Sequence, residues 1–320
     1  MKIAILDDYQ DCALSFGDWS DILRQAEITT FKEPFRGADD IVGRLQNFDV
    51  LCLMRERTPL GRDVLARLPK LKHVVLTGRR SASLDVAYLD ERGISLNTTD
   101  AGPAHHATPE LAIGLIFALA RNIPRGDALM KCGEWLTNAP LGFVLHGKVL
   151  GIIGLGKVGC RVAEIARAIG LDVIAWSPNL TPERAAAAGV RFSATKRELL
   201  ATADIVSIHL VLAPSTIDMI GPAEFAQLKP SAVLINTARG PIVNETALLT
   251  ALRNGSLAGA AIDVFDIEPL PSDHPLRTLR NCILLPHFGY VTREIYEAFY
   301  RNTAEALRRL LGLPEAVFKS

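Results

Sequence analysis

The sequence predicts an α/β protein built from two doubly wound, parallel-sheet domains with a ligand cleft between them. Three observations lead to this class. Short apolar segments alternate with helical patterns, a glycine-rich turn at residues 154–159 links a strand to a helix, and 320 residues exceed one ordinary core. Since about half of the chain precedes the glycine turn, a separate domain should come before the one that carries it.

The N-terminal part of the chain alternates between strand and helix patterns. Apolar stretches that predict strands are followed by polar or helical stretches such as residues 60–68, and this alternation is typical of parallel β-α units. The predicted strands cover residues 2–6, 49–54, 71–77 and 94–96.

A long helix and then a glycine turn follow. Thr108-Pro109-Glu110 predicts a helix start, with Thr as the cap, and the apolar run 111–120 is too short to span a bilayer. The predicted strand 149–153 leads into Gly154-Leu155-Gly156-Lys157-Val158-Gly159. An apolar residue then recurs every three or four positions until Gly170, at Val158, Val162, Ile165 and Ile169.

This strand, turn and helix together predict a Rossmann-type dinucleotide site. One glycine permits the tight turn, one lets the backbone approach a pyrophosphate, and one packs the helix against the strand. The backbone N–H groups and the positive dipole at the helix start would face the phosphates. The cofactor residues predicted here are Gly154, Leu155, Gly156, Lys157, Val158 and Gly159.

The remaining elements complete the predicted domains. Thr181-Pro182-Glu183 predicts a helix start, and a helix is expected from about Thr292 to the end of the chain. Such a last helix commonly returns to the first domain. We therefore predict a discontinuous substrate domain, 1–100 plus 291–320, and a Rossmann domain, 101–290. The later predicted strands cover residues 172–176, 205–210, 232–235, 258–262 and 283–285.

Composition excludes several classes of function. The 35 basic residues balance the 35 acidic ones, so no global field favours nucleic acid or a membrane surface. The five cysteines are scattered without a C-x-x-C, which argues against a disulfide framework and against a metal site. No signal peptide is recognisable. We expect a cytoplasmic protein.

Three charged residues come just after predicted strands of the second domain: Arg239, Glu268 and His287. Each alone has an ordinary explanation, as a solvated arginine, a surface glutamate and a structural histidine. Together they lie at the carboxyl ends of strands, where open α/β sheets bind ligands.

The segments that hold these residues resemble the signatures of the D-2-hydroxyacid dehydrogenases. They read INTARG (235–240), DVFDIEP (263–269) and LPHFGYVT (285–292). The resemblance implies a nicotinamide cofactor, a small 2-oxo or 2-hydroxy acid substrate such as glyoxylate or hydroxypyruvate, and a homodimer built around the 101–121 helix. It also implies a catalytic triad, in which His287 donates a proton, Glu268 stabilises the imidazolium, and Arg239 holds the substrate carboxylate.

Other positions match family roles. The resemblance assigns cofactor contacts to Thr108, Thr237, Ala238 and Asp263, and His209 lies near the cofactor groove or is a structural histidine. The loop from Thr77 resembles the substrate-carboxylate loop, so substrate contacts are expected at Arg55, Gly78, Arg79, Arg80 and Arg239. The side chains of Arg79 and Arg80 either bind a second anionic group or are solvated.

The residues after the second Rossmann strand leave NAD and NADP open. An NAD-preferring domain usually offers a carboxylate to the ribose there, whereas this chain has Ser177-Pro178-Asn179, with Arg184 nearby. Ser177 and Asn179 suit a 2′-phosphate, which favours NADP.

Three alternatives share this architecture. A phosphoglycerate-type dehydrogenase normally has a further regulatory domain, for which a chain ending at Ser320 leaves no room, although short versions exist. A formate-type dehydrogenase lacks the acid that Glu268 supplies. The third alternative is a non-catalytic NAD(H)-sensing protein like the corepressors of this fold, against which the balanced charge argues.

Overall fold

The computed structural model describes residues 1–100 and 102–314, which divide into two compact units. One unit combines Met1–Ala104 with the segment that starts at Thr292, and the other is His105–Val291. The predicted boundary at residue 101 and the predicted helix over 315–320 lie outside the described residues.

The first unit contains a parallel five-stranded sheet in the order β2-β1-β3-β4-β5. Its strands are β1 (Lys2–Ile5), β2 (Glu27–Thr30), β3 (Val50–Leu53), β4 (His73–Thr77) and β5 (Ser95–Thr99). The helices between them are α1 (Ser20–Gln25), α2 (Ala38–Leu45), α3 (Arg62–Leu65) and α4 (Val86–Glu91). Because the strand order reverses between β1 and β3, the switch point at which such sheets bind ligands lies there.

The second unit contains a parallel seven-stranded sheet in the order β12-β11-β10-β9-β6-β7-β8. The chain enters it through α5 (Ala104–Ala120) and α6 (Ile123–Lys131). Its strands are β6 (Val149–Ile153), β7 (Asp172–Trp176), β8 (Arg191–Phe192), β9 (Ile205–Ile208), β10 (Val233–Asn236), β11 (Gly259–Ile262) and β12 (Cys282–Leu284). The helices between the strands are α7 (Lys157–Ala168), α8 (Pro182–Ala187), α9 (Lys196–Thr202), α10 (Pro222–Phe225) and α11 (Glu245–Asn254).

Both faces of this second sheet are buried, as expected for parallel strands. Neighbouring residues of β6 point into different apolar cores, with Ile152 in one and Ile153 in the other. The switch point lies between β6 and β9, so the glycine turn after β6 stands where a dinucleotide binds in this topology. The prediction of two parallel-sheet α/β domains is confirmed.

Two local predictions were wrong. Thr108-Pro109-Glu110 does not begin a helix, because α5 begins at Ala104 and Pro109 lies inside it. Instead of capping, the Thr108 hydroxyl donates to the carbonyl of Gly289 at 2.8 Å. The last helix, α12 (Arg293–Leu310), ends before the described chain does, and Gly312 adopts a left-handed φ of +67° just beyond it.

Candidate active site

Arg239, Glu268 and His287 follow three neighbouring strands of the second sheet. β10 leads to Arg239, β11 to Glu268 and β12 to His287, and these strands are hydrogen-bonded in that order. Because parallel strands point their carboxyl ends to one edge, all three residues belong to the same edge of the sheet.

Glu268 and His287 form a direct pair. Glu268 Oε2 lies 2.7 Å from His287 Nδ1, and both side chains are partly shielded, with exposed fractions of 33% and 21%. The other carboxylate oxygen accepts the backbone N–H of Phe265 at 2.9 Å, which fixes the orientation of the carboxylate. With Nδ1 turned towards Glu268, Nε2 is the ring nitrogen that can exchange a proton with a substrate.

The backbone of His287 is held in an unusual conformation. Its φ of +58° lies in the left-handed region, which costs free energy unless the surroundings fix it. Asp263 supplies that support, since its backbone carbonyl accepts the N–H of His287 at 2.9 Å. Its carboxylate accepts the N–H groups of Phe288 at 2.6 Å and Gly289 at 2.9 Å.

Asp263 is fully buried. Burial raises its pKa to about 6, although the N–H groups of Phe288 and Gly289 act in the opposite direction. The sequence assigned Asp263 to the cofactor, whereas its observed contacts anchor the loop of His287. The two roles are compatible because a carboxylate has about four acceptor positions.

Arg239 belongs to a tightly packed turn. Asn236 accepts the N–H of Ala238 and donates its amide to the Arg239 carbonyl, and the Arg239 guanidinium donates to the carbonyl of Ala238 at 2.7 Å. A Cβ on the next residue, Gly240, would lie 2.1 Å from the backbone of Phe265. The loops after β10 and β11 are therefore in close contact.

The glycines of the turn at residues 154–159 are required by close packing and by backbone conformation. Gly154 has a φ of +103°, and a Cβ there would meet the His209 carbonyl at 2.7 Å. A Cβ on Gly159 would lie 2.1 Å from the Gly154 carbonyl, so only glycine lets α7 approach the turn. A Cβ on Gly156 would meet nothing within 4 Å, and no side chain caps α7. Open space and uncapped N–H groups suit a pyrophosphate there.

Thr237 adds a second indication of a ligand. Its hydroxyl is buried and has no hydrogen-bond partner within the described part of the chain. Buried hydroxyls are normally paired, so this one suits a partner from outside the chain. The other predicted cofactor residues of the glycine turn, Leu155, Lys157 and Val158, lie between its glycines. Ala238 directly follows Thr237.

His209 is hydrogen-bonded to a residue of the strand that it follows. Its Nε2 lies 2.9 Å from the hydroxyl of Ser207, and burial lowers its pKa to about 4. The loop after β7 is more open. Asn179 is exposed, and its backbone carbonyl accepts a hydrogen bond from the Arg184 guanidinium at 3.1 Å, which places that cation beside Asn179.

Apart from Arg239, the predicted substrate residues lie in the first unit. Arg55 follows β3, and Gly78, Arg79 and Arg80 follow β4, its neighbour in the sheet. A Cβ on Gly78 would lie 2.9 Å from Arg55 Nη1, so the guanidinium rests against the Gly78 backbone. Arg79 is largely exposed and lies 3.9 Å from the Asp100 carboxylate, and Arg80 is also exposed.

Sequence reasoning missed the residues that hold these loops. The hydroxyl of Thr77 accepts the N–H of Arg55 at 2.9 Å, and Asp7 anchors the same loop by accepting the hydroxyl of Thr58. In the second unit, Gly289 is packed against Asp263 and Thr108. The sequence signal for that contact was the position of Gly289, two residues after the candidate catalytic residue His287.

Comparison with known proteins identifies the family. A family model described as D-isomer specific 2-hydroxyacid dehydrogenase, NAD binding domain, matches residues 113–289. The chain belongs to the D-isomer specific 2-hydroxyacid dehydrogenase family. The resemblance of the three signature segments is thereby confirmed at the level of the family, and the chain carries the family's NAD-binding domain.

Named relatives extend this result. The chain is 38% identical over 274 residues to a D-3-phosphoglycerate dehydrogenase of Methanocaldococcus jannaschii, which covers 85% of this chain and 52% of the relative. It is 37% identical over 276 residues to that of Bacillus subtilis, covering 86% and 52%. The chain thus spans about half the length of these curated relatives.

A solved structure matches over the whole length. The phosphoglycerate oxidoreductase of Vibrio cholerae o395 is 33% identical, with a TM-score of 0.91 and coverage of 98% of this chain and 99% of that one. Among the helices in residues 1–100 and 102–314, none combines the length and the hydrophobicity of a membrane-spanning segment.

Proposed function

We propose that the protein reduces a small 2-oxo acid to a D-2-hydroxy acid with a nicotinamide dinucleotide. The observation that carries this proposal is the His287–Glu268 pair, with 2.7 Å between Nδ1 and Oε2, at the edge of an NAD-binding sheet. An acid-backed imidazole is the usual proton donor in such chemistry.

The glycine turn and Thr237 would hold the cofactor, which would supply a hydride to the carbonyl carbon. His287 donates the Nε2 proton to the carbonyl oxygen as negative charge develops there, which leaves a neutral imidazole. Glu268 stabilises the protonated imidazole before that transfer. Arg239 binds the carboxylate of the acid through its planar fork. In the oxidative direction, neutral His287 accepts the hydroxyl proton.

Substrate contacts at Arg55 and at the backbone of Gly78 are part of the same proposal. A second candidate is a phosphorylated 2-oxo acid, as in a phosphoglycerate-type dehydrogenase. The arginines after β3 and β4, Arg55, Arg79 and Arg80, favour it because a second anionic group needs cations. The names of the relatives support it as well.

The test is a panel of 2-oxo acids assayed for dinucleotide oxidation with NADH and with NADPH. Turnover of glyoxylate or hydroxypyruvate supports the first candidate, and selective turnover of 3-phosphohydroxypyruvate supports the second. Dinucleotide binding without turnover of any acid would contradict both and favour the sensor alternative.

The same panel tests the choice of dinucleotide. We propose that NADP is used, because Ser177, Asn179 and Arg184 suit a 2′-phosphate better than a carboxylate would. A preference of about 100-fold for NADH would overturn this proposal.

We also propose a cytoplasmic homodimer. The apolar residues of α5, such as Ile113 and Ile116, are buried in the core of their own unit. Phe117 of α5 is exposed, however, and a run of exposed apolar side chains continues along α6 and the segment after it, where Trp135 is 69% and Leu141 99% exposed. Such a surface is typical of an interface. Light scattering at micromolar concentration should give twice the chain mass, and a monomer would contradict the proposal.

The five free cysteines support the cytoplasmic location.

Replacing Arg239 by alanine should lower kcat/KM for a 2-oxo acid at least about tenfold, since a charge-assisted bond contributes about 1.5–3 kcal/mol. Arg239→Lys should recover only part of the loss, because lysine lacks the bidentate fork. Arg253, an exposed arginine at the end of α11, provides the control. Equal kinetics for Arg239→Ala and Arg253→Ala would remove Arg239 from the site.

Glu268→Gln should lower kcat/KM for the reduction of a 2-oxo acid at least about tenfold. A neutral amide stabilises the protonated imidazole of His287 less than a carboxylate does, because hydrogen bonds between charged groups are the stronger ones. Steady-state kinetics of the two proteins measure the loss, and equal kinetics would contradict the pairing.

A further inference from the structure

Two adjacent acidic residues, Asp7 and Asp8, are buried at the end of β1, each with 1% exposure. Asp8 has contacts that stabilise the fold. Its carboxylate accepts the backbone N–H groups of Cys12 and Ala13, and the Tyr300 hydroxyl donates to it at 3.3 Å. It therefore ties the first strand to α12.

Asp7 has a different set of partners. Its carboxylate accepts the hydroxyl of Thr58 at 2.8 Å and that of Tyr9 at 2.9 Å. Thr58 is buried and belongs to the loop that follows β3, so the first bond joins two loops from neighbouring strands. The Arg57 guanidinium adds a further link, 4.8 Å from the centre of the Tyr9 ring.

The loop that Asp7 holds carries Arg55 in a left-handed conformation, with a φ of +51°. A non-glycine residue keeps such a conformation only where its surroundings fix it. Thr77 fixes the first part of the loop by accepting the Arg55 N–H. Arg57 N–H donates to the Met54 carbonyl to close the turn, and Asp7 fixes the far end through Thr58.

The position of this cluster in the sheet points to a ligand. Asp7 follows β1 and the Arg55 loop follows β3, and the strand order of the first unit reverses between those two strands. Ligands of doubly wound sheets bind at the carboxyl ends of the strands beside this switch point. Burying a carboxylate is unfavourable, and burial raises the pKa of Asp7, so the fold maintains this contact at a cost.

We propose that Asp7 is a positioning residue that presets Arg55 for the anionic group of the substrate, acting through the Thr58 hydroxyl. The inference rests on the proposed function, in which Arg55 contacts the substrate. In this proposal Asp7 and Thr58 act on the substrate only through Arg55. A preset guanidinium loses less conformational freedom when the acid binds, so the benefit should appear in substrate binding.

Thr58→Val removes only the hydroxyl and keeps the shape of the side chain. We expect it to raise KM for the 2-oxo acid by about tenfold with kcat changed less than about twofold, as for an interaction equal in ground and transition states. Asp7→Asn should act in the same direction. Thr58→Ser, which restores the hydroxyl, should return KM to near its original value. The Kd of oxamate, an unreactive analogue of a 2-oxo acid, should follow KM.

Two further variants separate the possible failures. Arg55→Ala tests whether Arg55 binds the substrate at all, and an unchanged KM there would overturn that part of the proposed function. In the Arg55→Ala background, Thr58→Val should have no additional effect on KM. Asp8→Asn is the control for burial, and it should lower the melting temperature without selectively raising KM.

If Arg55→Ala raises KM while Thr58→Val and Asp7→Asn leave it unchanged, the positioning role is wrong. The same holds if the effects of Arg55→Ala and Thr58→Val on KM simply add, because independent sites give additive changes. If Thr58→Val lowers the thermal stability but leaves KM and the oxamate Kd unchanged, the hydrogen bond between Thr58 and Asp7 has only a structural role.

Discussion

Replacing His287 by glutamine should lower kcat/KM for the reduction of a 2-oxo acid by about 10²- to 10⁴-fold, the usual contribution of a general acid. Glutamine can still donate a hydrogen bond to Glu268, but its amide N–H is too weak an acid to transfer a proton to the substrate. Steady-state kinetics with a saturating dinucleotide measure the loss. Binding of the dinucleotide should change little, because the glycine turn lies at a different strand.

His274 provides a matched control for this prediction. His274 forms a similar pair within the same unit, with 2.9 Å between its Nε2 and a carboxylate oxygen of Glu245. His287 comes just after β12, whereas His274 lies in the loop between β11 and β12. His274→Gln should change kcat/KM by less than about threefold. Losses of similar size in the two variants would show that a histidine–glutamate pair in this unit contributes to folding rather than to proton transfer.

The second large effect is expected at Gly159. A Cβ there would lie 2.1 Å from the carbonyl oxygen of Gly154, so Gly159→Ala must push α7 away from the turn. We expect the Kd of the dinucleotide to rise at least about tenfold, and overpacking of this kind also costs about 1–3 kcal/mol of stability. Isothermal calorimetry and thermal unfolding measure the two consequences separately.

Alanine substitutions at two other glycines separate effects on folding from effects on dinucleotide binding. A Cβ on Gly156 meets nothing within 4 Å, so Gly156→Ala should keep the melting temperature and weaken only dinucleotide binding. Gly43, inside α2, also has open space around it and should tolerate alanine with a small gain in stability. Unaltered dinucleotide binding in Gly156→Ala would contradict the assignment of the turn.

Much of the second unit was predictable from local patterns. The glycine turn, the stop at Gly170 and the Thr181 cap each depend on residues within one or two turns of chain, and the structure contains all three. β2 and β8 were missed because they lie at sheet edges, where β2 is only partly buried and β8 has two residues. Their apolar patterns are correspondingly weak.

The errors at α5 and α12 have tertiary causes. Thr108-Pro109-Glu110 has the composition of a helix start, but α5 extends one turn further and its Thr108 hydroxyl bonds to the loop of His287. A residue type that suits a cap does not reveal a partner 181 positions away. Sequence patterns predict local features such as helix caps and turns. Hydrogen-bond partners that are far apart in the chain depend instead on the order of the strands in the sheet.

The same limit explains which site residues could be predicted. Arg239, Glu268 and His287 each follow an apolar strand, and that local rule was enough to group them. Asp7 and Thr58 are 51 residues apart, and they meet because β1 and β3 are neighbours in the sheet. No periodicity in the sequence indicates that the Thr58 hydroxyl pairs with a buried carboxylate.

The most direct test of the central claim is the transfer of deuterium from reduced dinucleotide in which both hydrogens of the reactive nicotinamide carbon are deuterium. After incubation with a 2-oxo acid that the protein accepts, the D-2-hydroxy acid should carry one deuterium at carbon 2, as mass spectrometry and chiral separation would show. His287→Gln should bind the dinucleotide and transfer little label. Bound dinucleotide without labelled product from any 2-oxo acid, or equal transfer by His287→Gln, would contradict the account.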